Sequence, residues 1–188
     1  MNAMTGVLQA DLPIYDERRP ELRLRPAKAW RHFQNLMKDK ENTEEVFHIF
    51  ESLPWRNLRP SAERFLRSAK GQALRLKEPN LPTLLDDHAA LRRTPAGSLA
   101  HAYCDFMERE GLTAQGLVDE FDKFAQHHEK FEDQFRWYLN RMRDVHDMLH
   151  VLTGYGRDAL GEACVLAFTY SQQPSPAHLF IGYMAGLN

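Results

Sequence analysis

The sequence predicts an all-α fold. Apolar residues recur along most of its length at spacings of three and four, which gathers them on one side of a helix, and no stretch alternates with the period of two that a half-buried strand requires. Ser, Thr, Asn and Asp stand where those runs begin, and Gly or Pro where they end. A chain of 188 residues with 43% apolar side chains has the length of one ordinary domain and enough apolar surface for one sizeable core. The expectation is a charged lead-in over 1–24 and a single-domain helical bundle over 25–188.

The first helix opens at Pro26, whose missing N–H costs nothing there, and carries Trp30, Phe33, Leu36 and Met37 on one face. Asn42 with Glu45 reads as a capping box for a second helix through Val46, Phe47, Ile49, Phe50 and Leu53, which Pro54 ends. Residues 60–76 predict a third through Phe65, Leu66 and Leu74, broken near Gly71, with a loop around Pro79 and Pro82. Ser98 is an N-cap for the run Leu99, Ala102, Tyr103 and Phe106, which stops at Gly111, and Thr113 caps the next helix. From Leu117 to Thr153 there is neither Gly nor Pro, so the pattern gives one long helix or two that break near His127-His128-Glu129-Lys130. Gly154-Tyr155-Gly156 terminates it, Asp158 caps a helix over Ala159 to Gln172, and Pro174 and Pro176 close that helix. The uncharged tail with Leu179, Phe180, Ile181, Tyr183 and Met184 could complete the core, line an apolar tunnel or groove, form a dimer interface or meet a bilayer.

Composition removes several function classes. With 24 Lys and Arg against 26 Asp and Glu there is no basic excess to attract nucleic acid. Cys104 and Cys164 stand too far apart for a thiolate metal motif or a disulfide framework, which suits a reducing compartment. Asp11, Asp16 and Glu17 make the lead-in unlike a signal or transit peptide, and no stretch approaches the roughly 20 apolar residues of a membrane span. The expectation is a bacterial cytoplasmic protein, or else an already processed one, with any membrane contact peripheral and on the inner face of the cytoplasmic membrane.

One constellation calls for chemistry: His146-Asp147-x-x-His150, eleven residues, then Glu162. His146 and His150 lie one helical turn apart on one face, as two ligands of one ion must. Two imidazoles with one or two carboxylates suit Zn²⁺, Mn²⁺, Co²⁺ or Fe²⁺ and disfavour Cu⁺. Glu162 is the only formally charged residue from Ala159 to Asn188, in a helix apolar on nearly all sides. A buried carboxylate without a cation costs several kcal/mol or becomes protonated. Its partner is either a metal held by the two histidines across the short Gly-Tyr-Gly turn, or an arginine such as Arg141, Arg143 or Arg157. Asp147 points nearly opposite the Met142, Val145 and Leu149 stripe, which fits a neighbouring or catalytic carboxylate as well as a ligand.

These residues resemble the signature of the coenzyme Q (ubiquinone) biosynthesis protein 4 family, His-Asp-x-x-His, eleven residues, Glu, at every position. The resemblance extends through Tyr138, Arg141, Arg143 and Asp144, through Pro95 to Met107, and faintly to Asn42-Thr43. It covers about residues 25–173, and the signature is specific. It implies an all-helical protein with His146, Asp147, His150 and Glu162 as metal ligands, zinc foremost, and a hydrophobic tunnel for a polyprenyl tail. It also implies helical sequence beyond Asn188, so that the domain would be C-terminally shortened. The implied activity is decarboxylation with hydroxylation of a 4-hydroxy-3-methoxy-5-polyprenylbenzoate. Arg141 and Arg143 could hold its acidic head group, with Asp147 and Tyr155 as catalytic groups. Other ubiquinone biosynthesis proteins, a membrane surface and a second copy in a homodimer are the expected partners.

Two other functions fit parts of the sequence. A non-catalytic lipid-binding scaffold would use the same tunnel. An HD-type phosphohydrolase would use His146 and Asp147 but also wants an upstream His and a downstream Asp, for which His127, His128 and Asp158 are only loosely placed.

Overall fold

A computed structural model describes residues 12–39 and 42–186, and every regular element among them is helical. In chain order these are α1 (Pro26–Leu36), α2 (Thr43–Ser52), α3 (Leu58–Arg67), α4 (Ala69–Lys77), α5 (Leu81–Leu85), α6 (His88–Leu91), α7 (Leu99–Glu110), α8 (Ala114–Phe124), a 3₁₀ turn (Ala125–His127), α9 (Gln134–Asp144), α10 (His146–Thr153), α11 (Ala159–Gln172) and α12 (Pro176–Ala185).

Ser98, Thr113 and Asp158 cap their helices, each side chain accepting a backbone N–H from the first turn, and Gly111 and Gly154 end theirs in the left-handed region. Asn42 precedes α2 without a side-chain cap bond, and Glu45 turns instead to His32 and Asn35 on α1. The capping-box pattern thus serves to tie two helices together. The third predicted helix is two, with the break at Ser68 rather than Gly71. Gly71 is needed for a close approach: a Cβ there would sit 2.0 Å from the Phe65 carbonyl oxygen. The loop around Pro82 contains the short helices α5 and α6, and Pro176 opens α12 instead of only closing α11.

The long Gly- and Pro-free run divides after His127, as one of the two expectations had it, and divides again at Val145. The second break makes His146 the first residue of a new helix.

Three packed clusters build the interior. The α1–α2 and α11–α12 hairpins share Phe33, Leu36, Ile49, Leu53, Leu166, Ala177 and Ile181. Helix α7 brings Tyr103, Phe106 and Met107 against Met148 and Val151 of α10. Helices α3 and α9 meet through Ala62, Leu66 and Phe135, with Ile14 and Tyr15 of the lead-in packed on them. The lead-in also accepts the first N–H groups of α9, on the carbonyls of Pro13 and Ile14. Trp30, placed on the core face by its spacing, is 45% exposed, and Ala29 takes the buried position beside Phe33.

Candidate metal centre

Helix α10 and the start of α11 face each other across the turn 154–158. Gly154 at φ +74° ends α10, and Asp158 accepts the N–H groups of Leu160 and Gly161 at 3.1 Å, which fixes where α11 begins. Gly161 lies against that turn so closely that a Cβ would be 2.0 Å from the Gly156 carbonyl oxygen. Glu162 is therefore delivered to one place opposite His146 and His150.

Their donor atoms converge. His150 Nε2 is 3.2 Å from His146 Nε2 and 3.3 Å from Glu162 Oε1, and His146 Nε2 is 3.4 Å from Glu162 Oε2. Ligands about 2.0–2.1 Å from a tetrahedral ion are separated by about 3.3 Å from one another, and these separations are on that scale, with each imidazole facing a different oxygen of the Glu162 carboxylate. The His150 side chain is fully buried and its ring stacks on Phe106 with centroids 5.7 Å apart. His150 Nδ1 lies 3.1 Å from the Tyr155 carbonyl oxygen, and donating to it leaves the Nε2 lone pair turned towards the other two donors.

Electrostatics follow from this crowding. Burial alone would raise the Glu162 carboxyl, but the two imidazoles beside it outweigh burial and hold it at about 2. Burial disfavours a charged His150, yet Glu162 and the Tyr155 carbonyl push its pKa up. The arginine alternative loses ground, because Arg141 pairs with Glu78 and Arg143 with Asp144, while Arg157 bears electrostatically on Asp147.

Of the expected ligands, Asp147 stays outside the converging set of His146, His150 and Glu162. It is half-buried, and burial raises its pKa, moderated by the adjacent histidines. Tyr155 exposes its ring and contributes its carbonyl. Arg141 and Arg143 line a polar cavity to which none of the three donors belongs. Neither Phe106 nor the Tyr155 carbonyl was foreseeable as support for His150, since a ring stack across helices leaves no local pattern. The groups a phosphohydrolase would need are committed elsewhere: Asp158 caps α11, His128 faces Glu51, and the side chain of His127 lies outside the described set.

The profile of the family described as "Coenzyme Q (ubiquinone) biosynthesis protein Coq4" matches residues 33–188. The chain is similar to "Ubiquinone biosynthesis protein COQ4 homolog 2, mitochondrial" of Culex quinquefasciatus, 28% identical over 102 residues, 54% of this chain and 43% of that protein. It is similar to the COQ4 homologue of Danio rerio, 27% identical over 114 residues, 61% of this chain and 40% of that one. The human homologue is 27% identical over 126 residues, 67% of this chain and 45% of that protein. The matched stretches span less than half the length of these relatives, and no solved structure matches.

These relatives correct the expected bacterial cytoplasmic location, since all three are named mitochondrial. That expectation leaned on acidic residues in the lead-in, and the described ones, Asp16 and Glu17, are engaged within the fold. The Asp16 N–H donates to Asp133 and its carboxylate pairs with Arg18, Glu17 pairs with Arg59, and Asp11 lies outside the described residues. Acids engaged in surface ion pairs say nothing of sorting. Among the described residues no helix is long and apolar enough to cross a membrane.

Proposed function

The chain belongs to the coenzyme Q (ubiquinone) biosynthesis protein Coq4 family, and from that membership and the donor triad we propose that it acts in ubiquinone biosynthesis as a metal-dependent decarboxylase. The proposed substrate is a 4-hydroxy-3-methoxy-5-polyprenylbenzoate, whose ring carboxylate is replaced by hydroxyl in a net two-electron oxidation with O₂ as acceptor. The observation that carries this reading is the set of separations of 3.2, 3.3 and 3.4 Å among the donor atoms of His146, His150 and Glu162.

His146, His150 and Glu162 would hold a divalent ion, zinc first and manganese, cobalt or iron after it. Bound there, the ion supplies Lewis-acid stabilisation of the negative charge left on the ring as the carboxylate departs. The Tyr155 carbonyl holds the His150 tautomer, and Phe106 holds its ring plane. Asp147, raised by burial and beside the triad, is suited to take and return a proton, and the exposed Tyr155 phenol stands at the turn as a second proton donor. The substrate tail would lie on Leu152 of α10, Leu160 of α11 and other exposed apolar residues of α11 and α12.

Product analysis tests the proposal. Purified protein with zinc, iron or manganese and a short-chain prenylated 4-hydroxy-3-methoxybenzoate should release CO₂ and form the ring-hydroxylated product, and His150→Ala should not. Equal turnover by the two proteins would remove the catalytic role. The exposed apolar side chains of Leu152, Leu160, Leu179 and Tyr183 favour one other reading, a lipid-binding scaffold that presents the intermediate to partner enzymes. In that case tail binding survives His150→Ala and no product appears with either protein.

A further inference from the structure

Charge is unevenly spread along this chain. Residues 54–77, which form α3, α4 and the stretch leading into them, hold seven of the 24 Lys and Arg but only one of the 26 Asp and Glu, in a protein of net charge −2. Two of the seven are engaged inside the fold: Arg59 pairs with Glu17 and Glu63, and Arg75 is buried with an interaction of its own. The other five, Arg56, Arg64, Arg67, Lys70 and Lys77, are exposed, and none has an ion pair or a side-chain hydrogen bond among the described residues.

A fixed platform presents them. Helix α3 is seated on α9 through Ala62, Leu66 and Phe135. Ser68 ends α3 and caps α4 by accepting the Gly71 N–H at 3.0 Å, and Gly71 lies against the Phe65 carbonyl too closely for any Cβ. Arg64, Arg67 and Lys70 follow one another at intervals of three across that joint, on the sides of α3 and α4 that Ala62, Leu66, Gly71 and Arg75 leave to solvent.

Helix ends account for only part of the set. Arg64 and Arg67 lie in the last turn of α3 and Lys77 in that of α4, where the helix dipole favours a cation. Lys70 lies in the first turn of α4, and Arg56 immediately precedes Asn57, the N-cap of α3; at those ends the dipole favours an acid. Like charges three apart in a helix also repel. These five cations, two of them set against the local field, find no counter-charge among the described residues.

The rest of the face selects among anionic partners. A bilayer takes up aromatic and aliphatic side chains beside the basic ones, but the exposed Trp30, Leu160, Phe168, Leu179 and Tyr183 lie on other helices, and Leu76 is the one large apolar side chain exposed on α3 and α4. A nucleic-acid strand stacks its bases on aromatic rings, and none is exposed on these two helices. Three of the five cations are arginines, whose planar fork matches the two oxygens of a carboxylate. We propose that the α3–α4 face is a docking surface for a protein partner with an acidic surface patch, on helices that carry none of the metal-centre residues.

The test measures binding of the full chain to three anionic probes: labelled poly-L-glutamate, phosphatidylcholine vesicles containing phosphatidylglycerol, and a single-stranded RNA. Poly-L-glutamate should bind saturably and most tightly, and added salt should weaken it. Arg56→Glu with Lys70→Glu should weaken that binding about tenfold or more while melting no lower than the wild type, since both acids then sit where the helix dipole favours them. Arg64→Gln with Arg67→Gln should lower affinity in the same direction without adding a charge. Arg93→Glu, a charge reversal at an exposed position outside the face, should bind as the wild type does. The proposal fails if poly-L-glutamate does not saturate, if either other probe binds more tightly, or if Arg93→Glu loses as much as the α3–α4 variants. It fails equally if both paired variants bind undiminished.

Discussion

His150 is held from three directions: its Nδ1 by the Tyr155 carbonyl, its ring by Phe106, and its Nε2 by the donors it faces. Removing it should lower zinc affinity by more than the roughly 10–100-fold typical of losing a group that merely supports a ligand. Asp147→Asn should stay within about tenfold of the wild type in the same chelator competition, because Asp147 lies outside the converging donors. Equal losses in the two variants would make Asp147 a fourth ligand. A second residue-scale prediction concerns Asp133, whose side chain is fully buried. Burial works to raise its carboxyl, but Arg19 and the N–H groups of Asp16 and Arg136 outweigh it and hold the pKa below the ordinary 3.8. Its contribution to stability is therefore complete above the unfolded pKa and lost as the pH falls through the folded one. Asp133→Ala should cost about 3–5 kcal/mol near neutral pH in urea unfolding, by stranding Arg19 and uncapping α9, and the difference from wild type should shrink under acid. Nothing in the sequence marks Asp133 for this role, since Arg19 and Asp16 lie more than a hundred positions away.

At the scale of elements, the site depends on how α11 is seated on the turn after α10. Sequence periodicity gave the existence of both helices, and Asp158 and Gly154 were legible as caps because capping chemistry is local. The break at Val145 was not legible, because no Gly or Pro marks it and its neighbours continue the apolar spacing. Gly161 was silent for another reason: its need arises from the Gly156 carbonyl, and a close approach has no signature in one strand of sequence. Gly161→Ala must push α11 away from the turn, because the obstacle at 2.0 Å is backbone. The expected cost is about 1–3 kcal/mol by chemical unfolding. Because Glu162 is the next residue, zinc affinity should fall with it. A stable Gly161→Ala protein of undiminished affinity would show that the turn does not place Glu162.

For the whole molecule, the consequence of the three-cluster core is that the metal centre sits on a seam. Helix α10 belongs to the cluster around Tyr103 and Phe106 through Met148 and Val151, whereas α11 belongs to the cluster around Phe33 and Ile49 through Leu166. Sequence pattern could identify which residues are apolar but not how they divide, because each cluster joins helices far apart in the chain. An ion on His146 and His150 of one side and Glu162 of the other would bridge the seam, and it would also relieve the crowding of three electron-rich donors. Metal binding should therefore appear as stability. At a hundredfold excess over its dissociation constant, an ion that binds only the folded chain adds about 2.7 kcal/mol. For a domain of this size, 1 kcal/mol corresponds to about 2–4 °C, so zinc should raise Tm by about 5–11 °C and a chelator should reverse it. Glu162→Ala should melt at one temperature with or without zinc, because the bridge then has no second side. Hydrogen exchange should place the gain in α10 and the first turns of α11, while α3 and the α9 face turned to it stay as they were. A zinc-dependent rise that persists in Glu162→Ala would put the stabilising ion elsewhere and leave the seam unbridged.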